Sequence, residues 1–331
     1  MLFWHIFILS ISFYFLIKSG GWLIKSLIKI SSSLSISEFF VSFILMSFAS
    51  TLPEFLVGIN SSLSKIPKLS LGNVFGSSIT HLGLVLGLAA VFSGKINFEK
   101  KIAKIDSGFS FILGLSPLVL LIDGSLSRLD GLILISLFFL YLFRLFKTQI
   151  LNHSKNFWAT FNQKDTKAIE KLNNFKKNIL LFFGSVFVLI ISSYSIVNST
   201  KLIAKEIMIS ELIIGVIILA IGTSLPELVF AIRSSLARHP SLSLGNVIGA
   251  TVFNSTWILG VVALISPFSL NPGLETIQFL FIAISFPLFL FLVNIFIRTK
   301  NFISRKEGLI LIFLYFAFII SNLILSGILY V

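Results

Sequence analysis

Long apolar stretches follow one another along nearly the whole chain, separated by short polar or Pro/Gly-containing segments. A helix needs about 20 mostly apolar residues to cross the hydrocarbon core of a bilayer. Ten stretches approach this requirement, near residues 2–29, 36–63, 69–92, 107–122, 129–147, 178–204, 209–236, 241–266, 274–297 and 307–330. The sequence therefore predicts an all-α polytopic membrane protein with ten transmembrane helices.

The composition excludes a soluble globular protein. Hydrophobic residues make up 56% of the chain and charged residues 12%, whereas soluble domains are about 25% charged. The chain has 26 Lys and Arg against 13 Asp and Glu. These basic residues lie between apolar stretches, which favours the surface of the lipid bilayer, and not nucleic acid, as their partner. With no cysteine in the chain, disulfides and thiolate metal sites are excluded.

The basic residues also predict an orientation. If the N-terminus is extracytoplasmic, 21 Lys and Arg fall on the cytoplasmic side and 5 on the other. An excess of Lys and Arg is typical of the cytoplasmic loops of membrane proteins. We therefore expect a multi-pass protein of the cell membrane with both termini extracytoplasmic. The longest polar stretch, 148–177, is interpreted as a cytoplasmic linker between two five-helix halves, 1–147 and 178–331.

The two halves contain a repeat. Residues 36–87 align with 209–260 at a constant offset of 173, with 21 identities in 52 positions. The shared runs include LPE at 52–54 and 225–227, and LSLGNV at 69–74 and 242–247. Five spans separate equivalent points, so the second copy crosses the membrane in the opposite direction. Inverted repeats of this kind are typical of secondary transporters with a midplane binding site.

Each repeat carries a glutamate deep inside an apolar span. Glu54 and Glu227 both lie 17 residues after the matching serines of the repeat, Ser37 and Ser210. An ionised carboxylate at such a depth is costly unless it is paired or coordinates a cation. We interpret the two glutamates as converging on one cation. A pair of protonated, hydrogen-bonded glutamates is the alternative.

A proline precedes each glutamate and is expected to break the helix there. The break should free backbone carbonyls around 47–50 and 220–223 beside four hydroxyl side chains, those of Ser50, Thr51, Thr223 and Ser224. Carboxylates, carbonyls and hydroxyls form an all-oxygen set that suits Ca²⁺ and Na⁺. Farther along each repeat, Gly72, Gly76, Gly245 and Gly249 form small-residue faces for close helix packing.

The motifs AIGTSLPE (220–227), SFASTLPE (47–54), GNVFGSS (72–78) and GNVIGAT (245–251) resemble the alpha-repeats of the calcium/cation antiporter superfamily, in its prokaryotic-type sodium/calcium exchanger branch. The resemblance covers essentially the whole chain. It implies ten helices in two inverted five-helix repeats, alternating access by sliding of the first and sixth helices, and no cofactor. The transported ions would be Ca²⁺ and Na⁺, with no obligate protein partner.

Position by position, the resemblance implies Glu54 and Glu227 as the central carboxylates that hold either ion. Hydroxyl or carbonyl oxygens would come from residues at the two breaks and from one serine of the following helix. These additional ligands are Ser50, Thr51, Thr223 and Ser224, the carbonyls of Ser47 and Ala220, and the hydroxyl of Ser77.

Two positions depart from the family pattern. Asn254 is within the pattern, but its counterpart in the first repeat is His81, and one family serine is replaced by Ala250. His81 either packs in place of Asn or takes up protons. The missing hydroxyl puts the family's usual three-to-one coupling in doubt.

The alternatives are therefore of several classes. Within transport, a Ca²⁺(cation)/H⁺ exchanger would use His81 and the two glutamates to carry protons. An intramembrane enzyme would pair Ser50 or Thr51 with His81, but it gives no reason for duplicated glutamates. A pore and an inactive homologue complete the list. We expect a secondary antiporter and not an enzyme.

Overall fold

The computed structural model describes residues 2–33, 47–97, 100–160, 168–207, 210–236, 241–300 and 302–328. Most of these residues are helical, and the described strands are four pieces of two or three residues. The repeat positions 36–46, 209 and 237–240 and the segment 161–167 of the predicted linker lie outside the described residues. The protein is all-helical in class, as predicted.

In the first half, several helices are interrupted by short irregular turns. The helical elements are α1 (Leu2–Ser33), α2 (Ser47–Ser50), α3 (Leu52–Leu63), α4 (Pro67–Thr80), the π-helix π1 (His81–Val85), α5 (Leu86–Ser93), α6 (Lys100–Leu120), a 3-10 turn (Leu121–Asp123) and α7 (Arg128–Thr160). Because α4, π1 and α5 follow one another without a gap, they form a single continuous rod.

The second half repeats this order. Its helical elements are α8 (Ala168–Ile207), α9 (Glu211–Ile214), the π-helix π2 (Gly215–Leu219), α10 (Ala220–Thr223), α11 (Leu225–Leu236), α12 (Ser241–Val252), the π-helix π3 (Phe253–Ile258), α13 (Leu259–Ile265), α14 (Leu274–Thr299) and α15 (Arg305–Ile328). Helices α7 and α8 extend beyond the predicted span limits of 147 and 178, because hydropathy marks only the part of a helix that lies in lipid.

Six helices among the described residues are long and apolar enough to cross a membrane. A seventh is obtained if 211–223 and 225–236, which meet at 41°, form one broken span. Large apolar side chains are exposed on the outer helices, for example Phe3, Leu180 and Phe313 at 72–82%. A multi-pass membrane protein follows from these features, and the count of ten spans stays a prediction.

Two equivalent rods form the centre of the molecule. The apolar window of Pro67–Ser93 is 83% buried and that of Ser243–Ile265 is 78% buried, whereas the windows of α1, α8 and α15 are 28–33% buried. The central rods are related by the offset of 173 residues. The part of each repeat that carries GNV is thus enclosed by protein rather than by lipid.

Glycines allow the rod α4 to contact the broken span of the other half directly. A Cβ atom added at Gly72 would overlap the carbonyl oxygen of Leu212, and one added at Gly76 would lie 2.6 Å from the carbonyl oxygen of Val216. On the facing side, a Cβ at Gly215 would overlap the carbonyl oxygen of Leu69. The predicted close-packing role of Gly72 and Gly76 is confirmed.

Two miniature antiparallel sheets connect the halves. Strand β1 (Lys95–Asn97) pairs with β4 (Phe302–Ser304), and β2 (Ser125–Leu126) pairs with β3 (Phe268–Ser269). Each sheet combines one strand from each half. Capping boxes follow β2 and β4: the backbone N–H of Ser127 donates to Asp130 at 2.8 Å, and that of Ser304 donates to Glu307 at 2.7 Å.

Helices α1 and α8 pack along each other as a separate layer. Their buried side chains, such as Leu16 and Ile196, belong to a second hydrophobic cluster, which they share with residues of the broken helices and the first rod such as Val57 and Leu69. The main core contains Phe75 and Phe286. A groove of about 420 Å³ between the two helices is lined by apolar residues together with Ser12, Ser192 and Ser195. The layer contacts the broken helices through both of its members, α1 and α8, and α8 packs along α3.

Candidate cation site

Both proline-containing spans are broken at the predicted position. Helix α2 ends at Ser50 and α3 begins at Leu52, with Thr51 between them at φ −85° and ψ 0°. In the second half, Ser224 separates α10 from α11 with nearly the same dihedral angles, −81° and 0°. Each glutamate follows its break within the first turn of the new helix. The two glutamates thus occupy equivalent positions, each in the first helical turn after a break.

Two of the carbonyls predicted to be free near the breaks already accept hydrogen bonds. The carbonyl oxygen of Ser47 accepts hydrogen bonds from the backbone N–H of Thr51 at 3.1 Å and from its hydroxyl at 2.8 Å. The carbonyl oxygen of Ala220 accepts from the N–H of Ser224 at 3.2 Å. Each proline removes the donor for the carbonyl four residues earlier, at positions 49 and 222, which lie within the predicted ranges.

The two carboxylates are fully enclosed. Glu54 and Glu227 have no exposed surface, and neither carboxylate has a hydrogen-bond partner within the described part of the chain. A buried polar group without a partner costs about 1–3 kcal/mol, and a charged one costs more. Four carboxylate oxygens left without donors in the interior therefore indicate a site that binds a ligand.

His81 lies with these glutamates. One nitrogen of its ring and one oxygen of each of Glu54 and Glu227 are all within 4.8 Å of one another. The histidine is the first residue of π1, is fully buried, and neither of its ring nitrogens has a hydrogen-bond partner among the described residues. The three side chains come from α3, π1 and α11, so both halves contribute to one cluster.

Hydroxyl groups at the breaks bond across the halves. Ser50 donates to the side-chain oxygen of Asn246 at 3.2 Å, and Thr223, at the corresponding position of the second half, donates to Asn73 at 3.2 Å. The hydroxyls of Thr223 and Ser77 are 3.3 Å apart. Each break is therefore held against the central rod of the opposite half.

The other predicted ligands are also buried near the breaks. Thr51 is 2% exposed, and Ser47, Ala220 and Ser224 are 0–1% exposed. The hydroxyls of Ser47 and Ser224 have no partner among the described residues.

Farther along the second rod, the amide nitrogen of Asn254 donates to Ser78 at 3.5 Å. Its side-chain oxygen lacks a partner where the structure describes the chain. The family serine position at Ala250 is buried but supplies no hydroxyl.

Two asparagines of the repeated GNV motif are not among the predicted cation ligands. As polar groups buried in a helix, they are expected to need partners, and a broken neighbouring helix is one such partner. Asn73 and Asn246 are 0% and 2% exposed and accept the cross-half hydrogen bonds from the broken helices. Their amide nitrogens have no partner among the residues that the structure describes.

Comparison with known proteins extends this picture to the whole chain. A family model described as sodium/calcium exchanger protein matches residues 4–147 and 177–324. The chain belongs to the sodium/calcium exchanger family. The match omits most of the predicted linker.

Two curated relatives are similar to most of the chain. The chain is 29% identical over 348 residues to the sodium/calcium exchanger MaX1 of Methanosarcina acetivorans, covering 95% of this chain and 97% of the relative. It is 30% identical over 233 residues to the inner membrane protein YrbG of Escherichia coli, covering 69% of each. Family members named as exchangers are transporters, so this chain is a cation exchanger by family rather than an enzyme.

The fold also resembles a solved exchanger. The sodium-calcium exchanger NCX_Mj, soaked with 100 mM Na⁺ and 10 mM Sr²⁺, superposes with a TM-score of 0.67 over 97% of this chain and 99% of that chain, at 24% identity. At this identity the likeness establishes the fold. The resemblance drawn from the repeat motifs is thereby confirmed at the level of family and fold.

Proposed function

We propose that this exchanger-family chain exchanges Ca²⁺ for Na⁺ across the membrane by alternating access, with the cations held between its halves by Glu54 and Glu227. The observation that carries the proposal is the convergence of two buried carboxylates, one from each half, without hydrogen-bond partners among the described residues. Two carboxylates supply up to two negative charges, which neutralise one Ca²⁺ or two Na⁺.

Exchange follows from competition for the same oxygens. A site that holds either one Ca²⁺ or a pair of Na⁺ cannot hold both, so each ion displaces the other. With neither ion bound, two adjacent carboxylates would repel each other in a low-dielectric interior. We therefore expect the unloaded carrier to change orientation slowly, which couples the two fluxes.

Besides the two carboxylates, most of the proposed oxygen ligands come from residues at or next to the two helix breaks. Thr51 and Ser224 lie at the turns themselves, with Ser50 and Thr223 one residue earlier in the chain. The carbonyls of Ser47 and Ala220, the hydroxyl of Ser77 and the side-chain oxygen of Asn254 complete the set. Support comes from the full burial of this set and from the unpartnered oxygens of Ser224 and Asn254 in the described structure.

We propose ten spans in two inverted halves, 1–147 and 178–331, joined by the linker 148–177. The equivalent breaks at Thr51 and Ser224 and the π-helices that begin at His81 and Phe253 support this arrangement. The miniature sheets add support, because each pairs a strand from one half with a strand from the other. One proposed span, 107–122, separates β1 from β2, and another, 274–297, separates β3 from β4, so the two sheets would lie on opposite membrane faces.

Movement of α1 and α8 relative to the central rods would expose the site alternately to each side. Support comes from the packing of α1 and α8 mainly against each other, which would let them move as a unit. At the junction with the core, the ring of Phe13 on α1 fills the space that a Cβ at Gly222 would occupy, close to the break of the second half. Motion of α1 would therefore change the packing around that break.

The test is calcium uptake into sodium-loaded proteoliposomes diluted into sodium-free buffer. Uptake that needs the sodium gradient and is lost in Glu54→Ala supports the proposal. Glu206→Ala, which removes an exposed carboxylate at the end of α8, is the matched control and should retain uptake. Uptake that ignores sodium contradicts the proposal.

One arm of the same assay tests the proton-coupled alternative. The position of His81 beside both glutamates favours a Ca²⁺/H⁺ exchanger as the second candidate. In sodium-free vesicles, an imposed pH gradient would then drive calcium uptake. Absence of such uptake, with sodium-driven uptake intact, would remove this candidate.

A further inference from the structure

The cluster around Glu54 and Glu227 includes one nitrogen donor. His81 contributes a ring nitrogen within 4.8 Å of an oxygen of each glutamate, and the imidazole is fully buried. Both of its nitrogens lack hydrogen-bond partners among the described residues. A histidine that merely packed in place of asparagine would be expected to satisfy at least one nitrogen with a neighbouring group.

The three atoms lie near the spacing of ligands around a single ion. Ligands of a zinc-sized ion lie about 2.0–2.2 Å from the metal, so in a tetrahedral site they are about 3.4 Å apart. The three atoms of the cluster lie within 4.8 Å of one another and would have to approach by up to about 1.4 Å to reach this spacing. Rotation of the histidine and glutamate side chains moves their terminal atoms over such a distance, so joint coordination requires side-chain movement at the site.

The chemistry of the donors distinguishes the ion. Ca²⁺ and Na⁺ take oxygen ligands, for which a neutral imidazole is a poor substitute. Imidazole together with carboxylates suits Zn²⁺ and Co²⁺, as in zinc sites built from histidine and glutamate. The corresponding position of the other half, Asn254, has a side-chain oxygen without a partner in the described structure. At these equivalent positions, the first half thus supplies a nitrogen ligand and the second half an oxygen.

We propose that His81, with Glu54 and Glu227, makes this site selective for a divalent transition ion of the Zn²⁺ or Co²⁺ class over Ca²⁺. The inference rests on the proposed function, because it concerns the same exchange site and takes the ion as the cargo that moves against sodium. Two carboxylates neutralise the double charge, and the imidazole supplies the ligand that alkaline-earth ions do not favour.

The test uses tag-free protein, because a polyhistidine tag would itself bind the probe. Co²⁺ is titrated into wild type, His81→Asn and His5→Asn, and its visible absorption reports nitrogen coordination. We expect His81→Asn to weaken Co²⁺ binding about tenfold or more and to move the visible absorption to longer wavelength, since the amide oxygen that replaces the nitrogen is a weaker-field ligand. His5→Asn removes a histidine from α1 and should leave both unchanged.

Ca²⁺ competition supplies the second readout. In His81→Asn, the amide oxygen is a calcium ligand, so the Co²⁺:Ca²⁺ preference should fall by about tenfold or more. A stronger Ca²⁺ response in the variant would also show that it is folded. Equal Co²⁺ affinity and absorption in wild type and His81→Asn would overturn the inference.

Flux measurements on the same preparations separate the two proposals. Sodium-driven ⁴⁵Ca²⁺ uptake in both proteins, with Co²⁺ binding indifferent to His81, overturns the selectivity inference and leaves the exchanger proposal standing. His81-dependent Co²⁺ binding without sodium-driven flux of Ca²⁺ or Zn²⁺ supports the site and overturns sodium exchange.

Discussion

The hydroxyl of Ser50 donates a hydrogen bond to the side-chain oxygen of Asn246, 196 positions farther along the chain, at 3.2 Å. Its counterpart, between Thr223 and Asn73, has the same length. The residues of the first bond map onto those of the second at the repeat offset of 173. The broken helix of each half is thus bound to the rod of the other, next to the carboxylates.

This reciprocal bonding predicts coupling between Ser50 and Asn246. Ser50→Ala and Asn246→Ala should each lower the apparent melting temperature, and the double variant should lower it by less than the sum. The coupling expected for one buried hydrogen bond is about 1 kcal/mol. Thermal unfolding of detergent-solubilised protein measures it. Ser50→Ala combined with Asn73→Ala removes groups from two different bonds and should be additive; equal behaviour of both pairs would contradict the assignment.

The close packing around Gly72 predicts that Gly72→Ala strongly lowers thermal stability. The added Cβ would overlap the carbonyl oxygen of Leu212, so α4 and the second broken span would have to move apart. Overpacking of this kind costs about 1–3 kcal/mol, and we expect a melting temperature several degrees lower. Gly184→Ala is the control, since nothing lies within 4 Å of its added Cβ. An unchanged melting temperature for Gly72→Ala would be inconsistent with this packing.

Much of this architecture could be predicted from the sequence because the repeat is ungapped and its polar positions are matched. Glu54 and Glu227 occupy matched positions of this repeat, which predicts that they act together, and the structure brings them together with His81. The carbonyl ligands at Ser47 and Ala220 stay a prediction; both carbonyls accept a backbone hydrogen bond, since a proline removes one donor only and leaves the preceding turn bonded. The bond from Ser50 to Asn246 depends on tertiary packing, which no local pattern reports.

The role of His81 also could not be settled from its position in the sequence. Counting helical turns places it on the face of Ser77, but the π-helix that begins at His81 changes the register of that face. Helix lengths were underestimated at α7 and α8, because polar residues end a span without ending a helix.

The distribution of basic residues predicts the orientation of the chain. The native sequence has no cysteine, so single cysteines can be introduced without background labelling. Asp123→Cys, exposed beside β2, should react with a membrane-impermeant maleimide in intact cells. Lys306→Cys, exposed after β4, should react only after the membrane is permeabilised. The reverse pattern would place both termini in the cytoplasm.

Sliding of α1 and α8 predicts that a crosslink between α1 and the core stops transport. The ring of Phe13 occupies the space beside Gly222, so Phe13→Cys with Gly222→Cys brings two thiols close together. A short reducible bifunctional reagent should abolish sodium-driven calcium uptake, and a reductant should restore it.

A matched crosslink lies within the moving layer. Ser12→Cys with Ser192→Cys joins α1 to α8 across their shared groove. If the two helices move together, this crosslink should leave uptake largely intact. Inhibition by the second crosslink alone would contradict the sliding mechanism.

The central claim is that Glu54 and Glu227 hold one cation jointly, and the most direct measurement is Ca²⁺ binding stoichiometry. Equilibrium dialysis of purified wild type should give one Ca²⁺ per chain, displaced by Na⁺. Glu54→Gln and Glu227→Gln should each weaken this binding by about a hundredfold, since each removes half of the neutralising charge, while Glu206→Gln should bind like wild type. If either single variant retains one sodium-sensitive Ca²⁺ per chain with unchanged affinity, the two glutamates do not share a site.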